Sequence, residues 1–289
     1  PEAQQARQQP EAQQARQQPE VQQPEAQQHQ PAAAIAAGAD DHDVTAFVAA
    51  IETSEVPASS PVTEEQAARR LALHRAGFDS DQAVRIDAAA AGPGLQAALM
   101  ELFESLPEVP NLPRRNGSLI VVAGIGRRAV AEATRIATEV GTDPTTVAYA
   151  GRRRPPMPVL EDLMISTADD ATEMAPGHRR GRIGVVAVDV PMGTPGSAWA
   201  RHVIAALRPT LVVGVVNAMF KNEDIESWID DLGGVDTLIV DNVDGTASPA
   251  RILELDVPVS RLGEHAANPA RWTATVLDRV GAETDAAEG

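Results

Sequence analysis

Two loops in this sequence carry residues whose types and spacing suit chemistry. The first, Ala123-Gly124-Ile125-Gly126-Arg127-Arg128-Ala129, follows the apolar run at residues 118–123 (SLIVVA). Its GxGxxA spacing lets a backbone approach a pyrophosphate at the N-terminus of a following helix. The second, Gly151-Arg152-Arg153-Arg154, follows the run at 145–149 (TTVAY). A dinucleotide site needs a residue there for the ribose, and arginines suit the 2′-phosphate of NADP. On that reading the chain is an NADP-binding oxidoreductase. The same glycines also serve a tight strand-to-helix turn without any ligand, so this turn alone leaves both alternatives open.

Composition removes other chemistries. With no cysteine there are no disulfides, thiol nucleophiles or zinc ribbons. Of 24 basic residues 23 are arginine, so a mechanism that needs lysine must use Lys221. No GxSxG elbow occurs, and the sole tyrosine, Tyr149, is too far from Lys221 for a Tyr-x-x-x-Lys reductase pair. His74, His178, His202 and His265 have no mutual ligand spacing. The net charge of −17 argues against non-specific binding to nucleic acid or acidic membranes. No apolar run approaches the ~20 residues of a membrane-spanning helix.

These loops must be held by a scaffold, and its parts are legible in order. Residues 1–62 open on the repeat PEAQQARQQ (1–9 and 10–18) and continue through the acidic stretch Asp40-Asp41-His42-Asp43. Pro every few residues and little apolar content predict a disordered arm and linker. Thr63 with Gln66 and Asp79 with Gln82 start two helices as capping boxes. A third helix is predicted over 95–106, so residues 63–112 read as a small helical bundle. Residues 113–289 alternate strands (118–123, 145–149, 183–189, 211–217, 237–241, 257–262) with helices (128–140, 195–207, 223–231, 247–254, 268–280). Continuous apolar runs linked by helical crossovers predict an α/β fold, a parallel doubly wound sheet. Ligands bind beyond the carboxyl ends of such strands. Arg179, Arg180 and Arg182 precede a strand and are expected in solvent at the other end. Trp199, Trp228 and Trp272 are expected to pack.

Four segments in one order resemble the signal recognition particle GTPases, including their receptor and the flagellar member. Asp241-Asn242-Val243-Asp244-Gly245-Thr246-Ala247 resembles TKLDGTA, Arg208-Pro209 through Asn217-Ala218 resembles RPDEVLLVIDA, Leu262-Gly263-Glu264 resembles the closing GxGE loop, and Ala187-Val188-Asp189-Val190-Pro191 resembles IDTAG. The resemblance spans about residues 63–265 and implies a P-loop NTPase-like sheet behind an N-like helical domain. It implies GTP or GDP as ligand, with Asp244 reading guanine and Gly124, Gly126, Arg127, Arg128, Arg152, Arg154, Asp189 and Gly263 around the nucleotide. It also implies a protein partner, through homo- or heterodimers on the nucleotide-site face, and a cytoplasmic location, with association to a membrane or cell pole through a partner as the alternative.

The departures concern catalysis. Where the family has GxxGxGKTT, this chain has GIGRRAVAEA, without the phosphate-binding lysine or the metal-binding hydroxyl. Asn242 replaces the base-stacking lysine, and the loop at 151–154 has no aspartate. The resemblance with these losses implies a non-catalytic scaffold or regulator, or a weak nucleotide binder without efficient hydrolysis.

Overall fold

A computed structural model describes residues 62–155, 158–193 and 197–288. These fall in one compact unit, Ser60–Gly289. The repeat arm and acidic stretch expected over 1–62 lie, apart from Val62, outside the described residues.

Both predicted capping boxes form. Helix α1 (Glu64–Arg75) is capped by Thr63 and α2 (Ser80–Ala89) by Asp79, each reciprocally with its glutamine. Asp87 of α2 is buried and takes Arg70 at 2.8 Å and Arg69 at 3.5 Å, which ties α1 to α2 by charge. Helix α3 (Leu95–Glu104) turns Phe103 onto Trp272 of the last helix, with ring centroids 5.7 Å apart. The helices are thus continuous with the core of the sheet.

The sheet contains β1 (Leu119–Gly124), β2 (Ala148–Ala150), β3 (Met164–Ile165), β4 (Gly184–Asp189), β5 (Leu211–Asn217), β6 (Thr237–Asp241), β7 (Val259–Leu262) and β8 (His265–Ala266). Their order is β3-β2-β4-β1-β5-β6-β7-β8, with every pairing parallel except the last. Ile120, Val121, Val122 and Ala123 have no exposed surface, as a strand covered on both faces requires. The α/β doubly wound expectation holds.

Side chains alternate between two cores. On one face Leu119, Val121 and Ala123 meet the three N-terminal helices together with α6 (Ser197–Leu207), α7 (Asn222–Leu232) and α8 (Pro269–Glu288). On the other, Ile120, Val122, Tyr149 and Val213 meet α4 (Gly126–Glu139), the one helix on this face among the described residues. Trp228 and Trp272 are buried and Trp199 is half-buried, as expected of packing residues.

Several details differ from the sequence reading. Residues 158–182, between the predicted strands at 145–149 and 183–189, contain β3 and α5 (Ala168–Arg179), the latter capped by Thr167 with Asp170. The helix expected over 247–254 is a 3-10 helix, Pro249–Leu255. Arg179 is not a solvent-facing residue: it donates to the carbonyls of Leu207 (2.7 Å) and Arg208 and so satisfies the end of α6. Arg182 donates to the His178 carbonyl, and of the three only Arg180 is exposed. No described helix is long and apolar enough to cross a membrane.

The bundle meets the 3-10 segment at Gly77. Its φ is +110°, and a Cβ there would stand 2.5 Å from the Arg251 amide nitrogen and 3.0 Å from the Ser248 carbonyl. Backbone, which cannot swing away, fills that space. Gly77→Ala should therefore cost at least ~2 kcal/mol, seen as a fall in Tm of roughly 4–8 °C. An unchanged Tm in a thermal melt would contradict this contact.

Candidate functional site

The parallel register of β4, β1 and β5 brings three carboxyl ends side by side. Only Ile125 stands between the end of β1 and the start of α4. The turn is this tight because Gly124 packs against Val215, where a Cβ would lie 2.9 Å from the Val215 Cβ, and because Gly126 has φ +40°. The Val190 amide donates to the Gly124 carbonyl at 2.8 Å, which carries the β1–β4 ladder one residue further. That places the Asp189 carboxylate over the N-terminus of α4.

Asp189 is shared between three elements. Its Oδ1 accepts the Gly126 N–H at 2.7 Å, and its Oδ2 accepts the Tyr149 hydroxyl, from β2, at 3.0 Å. A carboxylate is thus held at the positive end of the helix, where the dipole and a free N–H favour negative charge. Burial, then the bond to Asp189, raises the Tyr149 phenol well above its ordinary pKa. The hydroxyl therefore stays protonated and keeps donating. Arg153 lies close enough to Tyr149 to act on it electrostatically.

A second cluster sits on the β6 side. Arg128, in the first turn of α4, forks both carboxylate oxygens of Asp241 at the end of β6, with Glu264 3.9 Å away. The fork on Asp241 raises the Arg128 guanidinium above its ordinary pKa against the opposing effect of burial. Past Asp241, Asn242 adopts a left-handed conformation and its amide points to the Met219 sulfur at 2.9 Å. Asp244 is exposed; its carbonyl accepts Arg279 of α8 at 2.9 Å, while its carboxylate has no partner among the described residues.

The sequence-predicted residues divide accordingly. Gly124, Gly126, Arg127, Arg128 and Asp189 meet at the β1–α4 turn, while Asp244 and Gly263 follow β6 and β7 on the same edge. Arg127, Arg152, Arg153 and Arg154 are all exposed there and make no hydrogen bond or ion pair among the described residues. Tyr149, in the middle of β2, Asp241, at the end of β6, and Glu264, after β7, are partners that the sequence motifs do not mark. The sheet order also bears on the NADP alternative. A dinucleotide fold sets the strand carrying the ribose residue beside β1. Here β4 intervenes, which puts the arginine loop about 10 Å, two strand spacings, away. That geometry gives the oxidoreductase reading no support.

The sheet is of the α/β doubly wound type, with the glycine turn, the arginine loop and Asp244 at its carboxyl edge. No family model matches the chain, and no curated protein matches it in sequence. Solved structures do. Chloroplast FtsY from Physcomitrella patens matches at 16% identity and a TM-score of 0.53, over 74% of this chain and 88% of that one. The signal recognition particle receptor FtsY from Elizabethkingia anophelis in complex with GDP matches at 14% and 0.49, over 72% and 82%. FlhF complexed with GMPPNP and Mg²⁺ matches at 14% and 0.47, over 74% and 99%. The likeness to the chloroplast protein shows a shared fold, that of the SRP-type GTPases.

Removing Arg128 would leave Asp241, whose side chain is 10% exposed, without its counter-charge. Arg128→Met should cost about 1–3 kcal/mol, towards the low end because the guanidinium itself is half in water. In urea unfolding the midpoint should fall with the slope unchanged, and adding Asp241→Asn should recover part of the loss. A midpoint equal to wild type would mean that the pair contributes nothing.

Proposed function

We propose that this protein is a non-hydrolysing relative of the SRP-type GTPases, a cytoplasmic scaffold or regulator that docks a protein partner at the carboxyl edge of its sheet. One observation carries the reading: the Asp189 carboxylate, from the chain itself, takes the Gly126 N–H at 2.7 Å, where a nucleotide phosphate would need that donor. A phosphate loop needs several residues to wrap its ligand and a lysine to neutralise it. This turn offers one residue between strand and helix. The first basic position, Arg127, bears a planar fork in place of a compact ammonium. The second, Arg128, replaces the magnesium-holding hydroxyl and is committed to Asp241. A phosphate entering this turn would meet Asp189, a like charge, and with arginine at the metal-holding position the transferring group would lack the residue that places its main stabiliser.

A second reading is favoured by the free carboxylate of Asp244, which keeps the guanine-reading group beside a filled phosphate half, with Asn242 in place of the base-stacking lysine. Arg279 steadies that loop through the Asp244 and Thr246 carbonyls. The protein would then hold guanine weakly and ignore its phosphates.

The two halves make a sharp expectation for titration calorimetry on the full chain. Guanosine, GDP and GTP should give no heat, or should bind with dissociation constants within about threefold of one another, unchanged by Mg²⁺. Any such binding should be lost in Asp244→Ala, and GTP turnover should equal the protein-free rate. A tenfold preference for GTP over guanosine, an energy difference of about 1.4 kcal/mol, or measurable hydrolysis would overturn the reading.

A further inference from the structure

The sheet's second face carries one helix where the first carries several. A parallel sheet buries both faces under helices, and among the described residues the flank of α4 over β2 is a berth without an occupant. A groove of about 440 Å³ lies there, walled by Val130 of α4, floored by Val147 and Tyr149, and closed opposite by Pro158, Val159 and Leu160. Leu160 is 63% exposed, unusual for a leucine lining a groove. The polar groups on its walls are already engaged: the Thr134 hydroxyl donates to the Val130 carbonyl at 2.7 Å, and that of Thr145 to Asp143 at 2.8 Å. The groove therefore recognises apolar side chains and little else.

One end is different. Arg127 precedes Val130 by three residues and Thr134 by seven, so it heads the stripe of α4 that faces the groove. From the floor, β2 runs out through Gly151 into Arg152, Arg153 and Arg154. All four arginines are exposed and without an ion pair or hydrogen bond among the described residues, in a chain with 41 acidic side chains against 24 basic ones. Three consecutive arginines on one loop, with Arg127 roughly two strand spacings across from them, match an anionic partner on so acidic a protein.

We infer that this groove binds an acidic amphipathic helix of a partner protein, its apolar stripe against Val130, Val159 and Leu160 and its carboxylates forked by Arg127 and Arg152 to Arg154. A helix is the element that completes a doubly wound face, and helix-in-groove docking reads an apolar stripe in this way. Arginine pairs with carboxylates in two-pronged geometry, which fixes direction as well as attraction. A nucleic acid would find no stacking platform, because the Tyr149 ring is buried in the floor, and would face the repulsion of the remaining surface.

The inference rests on the carboxyl edge serving as a docking face and adds the chemistry of what docks. A phage-displayed random peptide library, selected on the full-length protein, should enrich sequences that alternate Asp or Glu with Leu, Ile or Phe at helical spacing. A fluorescein-labelled copy of an enriched peptide should lose at least tenfold in affinity to Leu160→Asp, and as much to Arg152→Glu with Arg154→Glu. Its binding should weaken between low and high salt, and an Arg85→Glu control on α2 should bind as wild type does. The inference is overturned if no sequences enrich, if enriched peptides lack acidic residues, if both groove variants bind normally, or if single-stranded DNA alone binds the arginines. GTP hydrolysis together with peptide binding would overturn the functional reading and leave this one standing; neither activity would remove this one alone.

Discussion

Everything at the carboxyl edge depends on where one carboxylate is held. Asp189 ends the strand beside β1, and the parallel register leaves its two oxygens between the start of α4 and the Tyr149 hydroxyl of β2. It satisfies a helix N-terminus that would otherwise seek an external anion. It also ties β4 to β2 and to the start of α4 by side-chain hydrogen bonds. An interaction of this kind both stabilises a turn and withdraws it from ligand binding. The same N–H serves either purpose, but only one at a time.

The fold was largely legible because its signals are local. Continuous apolar runs marked β1, β4, β5 and β6, and two capping boxes fixed the first helices nearly to the residue. What escaped was too short or too mixed to show a period. Strands β3 and β8 have two residues each, below any window in which alternation can be seen. Helix α5 contains Pro176 and Gly177, which read as breakers, although its Thr167–Asp170 box was there to be found. The 3-10 segment after Ser248 has a helix-like composition; its backbone abuts Gly77, and the Ala250 amide donates to the Ala76 carbonyl at 3.0 Å.

The site was legible in its members and not in its pairings. Placing Gly126 and Asp189 after strands followed from the topology, as did Asp244. That Asp189 would take Tyr149, and Arg128 would take Asp241, joins residues 40 and 113 positions apart. No local pattern encodes such pairs; the order of strands in the sheet does. The same order set the arginine loop away from the glycine turn by the width of β4, a separation invisible while the strands are read one after another.

Lys221 stands exposed at the N-cap of α7, on the loop after β5, and bears the only lysine amine in the sequence. Every modification aimed at lysine, from acetylation to an isopeptide bond with another protein, has a single address in this chain. That address is the tip of a strand neighbouring the glycine turn. A bulky adduct there would stand over the carboxyl edge beside the glycine turn.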